Sequence, residues 1–278
     1  MSTKRLRALI LDLDGVVYLE NVPLPGVIRA IRELRARGLR VFFATNGATR
    51  SRRDFGRLLT GIGVPCRTDE IMNVSHASVR WVARTLPRGS RCFVFGGKGL
   101  ARELKAAGYR PVWLNTRGAW ERFRRKPPPI RAVIVAMDRD LSYWSLCAAF
   151  LALQRGARLV AGNLDSSYPA RGLLMPGSGS LVKLLEYASG QAPVLIGKPS
   201  PVLFRLLLRE HGINPREAMV VGDRLTIDIK AGQAVGARTA LVLTGVDRRA
   251  DIRRTGIRPD HVLADLTGLL DLPELGGR

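Results

Sequence analysis

Short apolar runs alternate with stretches of helical spacing along almost the whole chain. Unbroken β-branched or apolar runs read as buried strands, and apolar positions recurring every three or four residues read as helices. The first strand is Ala8–Leu13, a helix follows over Pro25–Gly38, and a second strand at Leu39–Ala44 runs straight into Thr45-Asn46-Gly47. Ser51–Gly61 fits another helix. From about residue 78 to 177 the alternation starts afresh. There "RCFVFGG", "RAVIVAMD" and "ARLVAGN" read as strands, and "GLARELKAAGY" and "SYWSLCAAFLALQRG" as helices. Between them "RGAWERFRRKPPPIR" is basic and proline-bearing, which predicts an exposed, mobile loop. Further on, "SLVKLLEYASG", "PVLFRLLLREHG" and "IDIKAGQAVG" read as helices, with "APVLIGKPS", "AMVVGDR" and "TALVLTG" as strands.

Such alternation predicts βαβ units and a parallel sheet. The fold class is α/β: a doubly wound, Rossmann-like parallel-sheet core made by residues 1–77 and 178–278, interrupted by an inserted α/β cap domain at 78–177. Inserts of that size on a loop at the active edge commonly act as lids.

Composition narrows the class. With 278 residues, 46% hydrophobic and 24% charged, the chain has the make-up of a soluble globular protein. No apolar run reaches the roughly 20 residues a membrane helix needs. Lys4, Arg5 and Arg7 precede an apolar stretch that meets Asp12 too soon for a signal peptide, so a cytoplasmic protein with no membrane partner is expected. Cys66, Cys92 and Cys147 are widely spaced and form no CxxC pair, and His76, His211 and His261 are equally scattered. Neither a zinc cluster nor a Ser-His-Asp triad is expected. The charge is unusual, with 45 Lys+Arg against 23 acids giving +22. A polyanionic partner such as nucleic acid is one reading. Arginines spread over many solvated faces are the other, favoured by the absence of a recognisable nucleic-acid module.

The chemistry lies at four predicted strand ends, where open α/β sheets bind their ligands. They are "LDLDG" with Asp12 and Asp14, "FATNG" with Thr45 and Asn46, "IGKPS" with Lys198, and "VVGDRLTID" with Asp223 and Asp228. Two carboxylates ending an apolar strand are costly unless a cation compensates for them. Clustered carboxylates, a lysine and a hydroxyl at one sheet edge suit a hard divalent cation such as Mg²⁺ and a phosphate. Asp12 is then the candidate nucleophile for an acyl-phosphate, and Asp14 the general acid and then base. Thr45 and Lys198 would hold phosphoryl oxygens, and backbone N–H groups after Asn46 at a helix start suit the same anion. Gly15 and Gly222 permit the tight turns this needs. Each motif alone has an ordinary reading as a turn, a cap or a surface lysine. All four together, in this order and each after an apolar strand, do not.

At these residues the chain resembles the haloacid dehalogenase (HAD) superfamily, and more narrowly its NagD-type and p-nitrophenyl phosphatases with a C2-type α/β cap. The resemblance covers nearly the whole sequence, through "DLDGVVY", "TNGATRS", "MDRDLSY", "PGSGSLVKLLE", "IGKPSP" and "GDRLTIDIKAG". It implies that Asp12 is the nucleophile and a Mg²⁺ ligand, and that Asp14 is the acid/base with its main-chain carbonyl on the metal. It further implies Thr45 and Lys198 as the phosphate-orienting pair, Asp223 as a metal ligand, and Asp228 as a supporting acid. In the cap, Asp138, Asn163 and Asp165 become candidates for facing the substrate. Gly47 stands where relatives often carry a second Asn, and Thr226 and Ile227 replace an acid and a threonine, which bears on metal affinity.

The resulting expectation is a Mg²⁺-dependent phosphomonoester hydrolase working through a phosphoaspartyl intermediate. Its substrates would be small organic phosphates: p-nitrophenyl phosphate, a sugar phosphate, phosphoglycolate or a nucleotide. Caps of this type also offer a surface for a homodimer. Two rivals are a catalytically weak HAD-like binding or regulatory protein with a basic RNA-binding surface, and a phosphatase of polynucleotide ends. The intact set of acids weighs against the first and a cap suited to small substrates against the second.

Overall fold

The computed structural model describes residues 6–47, 50–170 and 173–276, so Lys4, Arg5, and Ala48 and Thr49 of the second motif lie outside it. The described chain divides into two compact units, one of residues 1–45, 52–72 and 198–278, the other of 46–51 and 73–197. None of its helices is long and apolar enough to cross a membrane.

The first unit is built on a six-stranded sheet in the spatial order His261–Leu263, Arg238–Val242, Ala218–Gly222, Ala8–Leu11, Arg40–Thr45, Ile71–Asn73. The pairings along Ala8–Leu11, Ala218–Gly222 and Arg238–Val242 are all parallel, with Ala8 opposite both Ala218 and Arg40. All four residues of Ala8–Leu11 are buried, as are all five of Ala218–Gly222, because helices cover both faces of a parallel sheet. Helix Val27–Ala36 shows how they do so: Val27, Ala30, Ile31 and Leu34 fall on one stripe and are buried against the sheet's Leu9, Leu11, Val41 and Phe43. Counted in chain order within this unit, the strands run 6-5-4-1-2-3, so the order reverses between Ala8–Leu11 and Ala218–Gly222.

The second unit has its own five-stranded sheet, in the order Val194–Leu195, Arg158–Ala161, Ile130–Val135, Arg91–Phe95, Arg110–Val112, again parallel throughout. Its core joins Phe93, Phe95, Val133, Val135 and Leu159 to Ala148, Ala149 and Ala152 of helix Tyr143–Gln154 and to Leu181, Val182 and Leu185 of helix Ser178–Ser189. An antiparallel hairpin of Ser167–Ala170 and Leu173–Pro176 exposes Leu173, Leu174 and Met175.

Three expectations need correcting. The domain boundaries at 77/78 and 177/178 are misplaced. The first falls inside helix Val74–Thr85, which Asn73 caps by accepting the His76 N–H at 2.9 Å. The second cuts off Ser178–Ser189, whose apolar stripe is buried in the second unit. "APVLIGKPS" supplies only Val194–Leu195, and these pair with Val160 and Ala161 of the second unit's sheet rather than with the first. "RGAWERFRRKPPPIR" is not a mobile loop: Arg117–Arg125 is a helix, capped by Thr116, with Phe123 buried and its ring 6.3 Å from that of Phe93. Trp120 and Phe123, three residues apart, are the anchoring stripe, easily overlooked among the segment's six basic residues.

Candidate active site

The two central strands of the first unit end side by side in acids. The Asp12 N–H still donates to the Val221 carbonyl at 2.9 Å, keeping it in register with the neighbouring strand, and Asp223 follows Gly222 where that neighbour stops. Both carboxylates therefore emerge at the point of strand reversal, where the diverging connections leave a crevice. After Asp223 the chain enters a π-helical turn over Leu225–Ile229, which brings Asp228 back towards the strand end. There Asp228 Oδ2 accepts the Arg224 N–H at 3.2 Å. The carboxylate oxygens of Asp12, Asp223 and Asp228 lie within 4.8 Å of one another.

Lys198 is the counter-charge. Its Nζ donates to Asp12 Oδ1 at 2.7 Å and to the Ala44 carbonyl at 3.2 Å, and it lies 2.6 Å from Asp228 Oδ1. Its side chain is 2% exposed, while that of Asp12 keeps 14%. Burial pushes the Asp12 carboxyl up to about 7, with Lys198 pulling against it and Asp228 and Asp223 adding to it. Burial, reinforced by Asp228, likewise raises Asp223 to about 6, although the Val246 N–H donated to Oδ2 at 2.8 Å opposes the rise. For Lys198, burial disfavours the ammonium, but Asp12 and Asp228 outweigh it and hold the group above its ordinary value.

Three carboxylates facing one ammonium leave an excess of negative charge that protonation alone relieves in the bare protein. Lys198 Nζ meets Oδ1 of Asp12, and the Val246 N–H meets Oδ2 of Asp223. All the donors are hard oxygens. A divalent cation of the Mg²⁺ type fits this set by both charge and donor chemistry.

The remaining predicted residues divide. Thr45 is buried at the last position of its strand, two residues from the Ala44 carbonyl's neighbour Phe43 and adjacent to the lysine's main-chain acceptor. Asp14 is exposed in a tight turn, in which the Gly15 N–H donates to the Tyr18 carbonyl at 2.9 Å and the Val17 N–H to the Leu13 carbonyl at 2.9 Å. Asn46 begins the second unit, and its carbonyl accepts from Asn163 Nδ2 at 3.1 Å. Asn163 is therefore not an open substrate contact. It is buried, and its Oδ1 accepts from both Ser178 Oγ and the Asp165 N–H. It ties three segments of its own unit together. Asp165 is half-buried, with its carbonyl accepting the Gly179 N–H. Asp138 lines a cavity within the second unit.

Comparison with known proteins agrees with this arrangement. Residues 9–110 match the family model described as haloacid dehalogenase-like hydrolase, and residues 195–269 match that described as HAD-hydrolase-like. The chain is 33% identical over 281 residues to glycerol-3-phosphate phosphatase of Gallus gallus, covering 94% of this chain and 90% of that protein. The structure of p-nitrophenyl phosphatase from Archaeoglobus fulgidus is similar with a TM-score of 0.85 at 32% identity, over 96% of this chain and 99% of that one. Glycerol phosphate phosphatase Rv1692 from Mycobacterium tuberculosis, in complex with magnesium, gives 0.84 at 31% identity over 95% and 77%.

The chain belongs to the haloacid dehalogenase-like hydrolase family.

One part of this hydrolase's site escaped the sequence reading. A fifth strand end, "LTGVD" after Arg238–Val242, wraps the acids. Besides the Val246 contact, the Asp247 N–H donates to the Asp223 carbonyl at 3.1 Å, and Asp247 Oδ2 accepts the Leu225 N–H at 2.6 Å. Gly245 and Gly15 press their backbones on the Asp223 carboxylate so closely that an added Cβ would stand 1.9 and 2.6 Å from its Oδ2. The available signal was a Thr-Gly-x-Asp sequence directly after an apolar strand, again placing a glycine and polar side chains at a strand end.

Proposed function

We propose that the chain is a Mg²⁺-dependent phosphomonoester hydrolase that works through an aspartyl-phosphate on Asp12. The observation that carries this reading is the Asp12 carboxylate, at the strand-reversal point, paired with a buried lysine and within 4.8 Å of two further acids. A lone metal-binding cluster would not require the lysine, and a structural ion pair would not require three acids.

Asp12 attacks phosphorus, the ester P–O bond breaks, and Asp14 gives its proton to the departing alcohol. Asp14 then takes a proton from water, which attacks the aspartyl-phosphate, releases inorganic phosphate and frees Asp12. Lys198 and Thr45 hold the phosphoryl oxygens, where charge stabilisation does most to lower the barrier. Asp228 holds Lys198 in place. Asp12, Asp223 and the Asp14 carbonyl would hold Mg²⁺, which would supply positive charge to the developing phosphoryl transition state. The second unit serves as the cap that selects the leaving group and limits water.

The relatives named as glycerol-3-phosphate phosphatases and phosphoglycolate phosphatase favour small, hydroxylated or carboxylated phosphate esters as substrates. A suitable panel is glycerol 3-phosphate, phosphoglycolate, a 5′-nucleotide and p-nitrophenyl phosphate, with a 5′-phosphorylated oligonucleotide as the polyanionic control. Asp12→Asn should lower turnover of every active ester by at least about 10⁴-fold while leaving the circular dichroism spectrum unchanged. Wild-type rates in that variant would end the proposal.

A further inference from the structure

The second unit has a chemistry of its own. In chain order its strands lie 2-1-3-4-5 across the sheet, with Arg91–Phe95 first and Ile130–Val135 third. In this arrangement, too, the order reverses between the first and third strands, and the crevice beyond their carboxyl ends is the place where such sheets take ligands. A cavity of about 480 Å³ occupies that place, and every residue lining it belongs to the second unit. The volume falls within the roughly 300–1,000 Å³ of small-molecule sites.

The walls differ in charge. Buried Phe95 and Leu114 form an apolar floor. On one side stand Arg102 and Lys105, three residues apart on helix Gly97–Ala106, which opens at Gly97 on the cavity. Asp138 and Asp140, beyond strand Ile130–Val135, stand on another side. Trp113, just past strand Arg110–Val112, lies against the cavity with 64% of its surface exposed. Elsewhere in this unit acids and bases close on each other, as in Glu103 with His76, Glu121 with Arg124 and Glu186 with Lys183. Arg102 and Lys105 make no ion pair among the described residues, and neither do Asp138 and Asp140. Asp138 is half-buried, and the Asp140 N–H reaches its Oδ1 at 2.9 Å. Opposite charges thus share one cavity without meeting.

We propose that this cavity, which shares no lining residue with the Asp12 centre, is a second ligand site and that it takes a mononucleotide. The ligand must be anionic at one end, planar and apolar in its body, and rich in hydrogen-bond donors at the other. A phosphate would sit against Arg102, Lys105 and the N–H groups that open the helix. The base would stack on Trp113. Ribose hydroxyls or base amino hydrogens would donate to Asp138 and Asp140. Inorganic phosphate would use only one wall, and an uncharged aromatic would leave both cations unused. The assignment moves Asp138 from the reaction to this site.

Calorimetric titration of the full chain with AMP tests the proposal, in EDTA so that no ester is turned over. The wild type should bind AMP, and Arg102→Glu/Lys105→Glu should weaken binding at least about tenfold, a difference near 1.4 kcal/mol. Trp113→Ala should weaken it by a comparable factor. Both variants should keep kcat/KM for p-nitrophenyl phosphate with Mg²⁺ within about twofold, because none of these residues belongs to the Asp12 centre. Absence of AMP binding at about 5 mM, or unaltered affinity in the charge-reversed variant, would overturn the site. A parallel fall in p-nitrophenyl phosphate turnover would show that the cavity serves the reaction itself and overturn its standing as a second site. An inactive wild type that still bound AMP through Arg102 would sink the phosphatase reading and leave this one standing.

Discussion

Replacing Lys198 by Met removes the ammonium and keeps most of the stem's volume, so the loss is almost purely electrostatic. In the wild type the ammonium lies 2.7 Å from Asp12 and 2.6 Å from Asp228. At an effective dielectric near 20, each pair is worth about 6 kcal/mol of attraction. Desolvation of the buried groups offsets most of that, and removing one partner of such a pair typically costs about 3–5 kcal/mol. For a protein of this size each kcal/mol moves the melting temperature by about 2–4 °C, which gives a fall of about 6–20 °C. The cost should grow with pH. At pH 8 the wild-type Asp12 carboxyl, pushed up to about 7, is mostly ionised against Lys198, and the variant must hold that charge unpaired or take up a proton, whereas at pH 5.5 the carboxyl is mostly protonated in both proteins and needs no counter-ion. Differential scanning calorimetry of both proteins in EDTA at the two pH values measures the effect. A drop under about 2 °C at pH 8, or an equal drop at both, would show that Lys198 does not neutralise these acids.

Three further outcomes follow from the same geometry. Asp12 and Asp223 are raised to about 7 and about 6, above the roughly 3.9 of an unfolded chain, so their contribution to metal-free stability is full below about pH 4 and lost as pH rises through those values. Mg²⁺ binds the ionised acids, so its stabilisation in thermal-shift assays should be larger at pH 8 than at pH 5.5, and an equal or reversed effect would refute the metal assignment. Gly245→Ala would place a Cβ 1.9 Å from Asp223 Oδ2, so the carboxylate must move, and the Mg²⁺ concentration for half-maximal activity should rise about 10–100-fold. A Mg²⁺ titration identical to wild type would remove Asp223 from the site. Phe123→Ala empties a buried anchor of helix Arg117–Arg125 and should cost about 3–5 kcal/mol in urea unfolding of the second unit, whereas a loss under about 1 kcal/mol would return the segment to a loop.

The sequence was most legible where one residue type at one kind of position had a single physical explanation. Asp12 after a fully apolar strand and Asp223 after another are such cases, because an uncompensated charge there is costly and calls for a cation, and the two carboxylates do lie together. It failed where spacing was right but the partner was ambiguous. Val194–Leu195 has the composition of any buried strand, and nothing in it says that it pairs with Arg158–Ala161 rather than with the sheet that Lys198 serves. Asn163 has the same side chain whether it points to a substrate or, as here, spans Asn46 and Ser178. The strand orders of the two sheets, and hence the two reversal points, depend on long-range pairing that no local pattern encodes.

The side-by-side placing of Ala8–Leu11 and Ala218–Gly222 also sets an order of assembly. Every strand of the second unit, from Arg91 to Leu195, leaves the ribosome before Ala218 does. At roughly 5–20 residues per second, the early strand waits many seconds with Arg40–Thr45 on one flank and an open hydrogen-bonding edge on the other. An unpaired, wholly apolar edge is a template for wrong partners. The crevice between these two strands thus forms only after the whole second unit has been made, and a nascent chain stalled before Gly222 would hold Asp12 without Asp223 or Asp228.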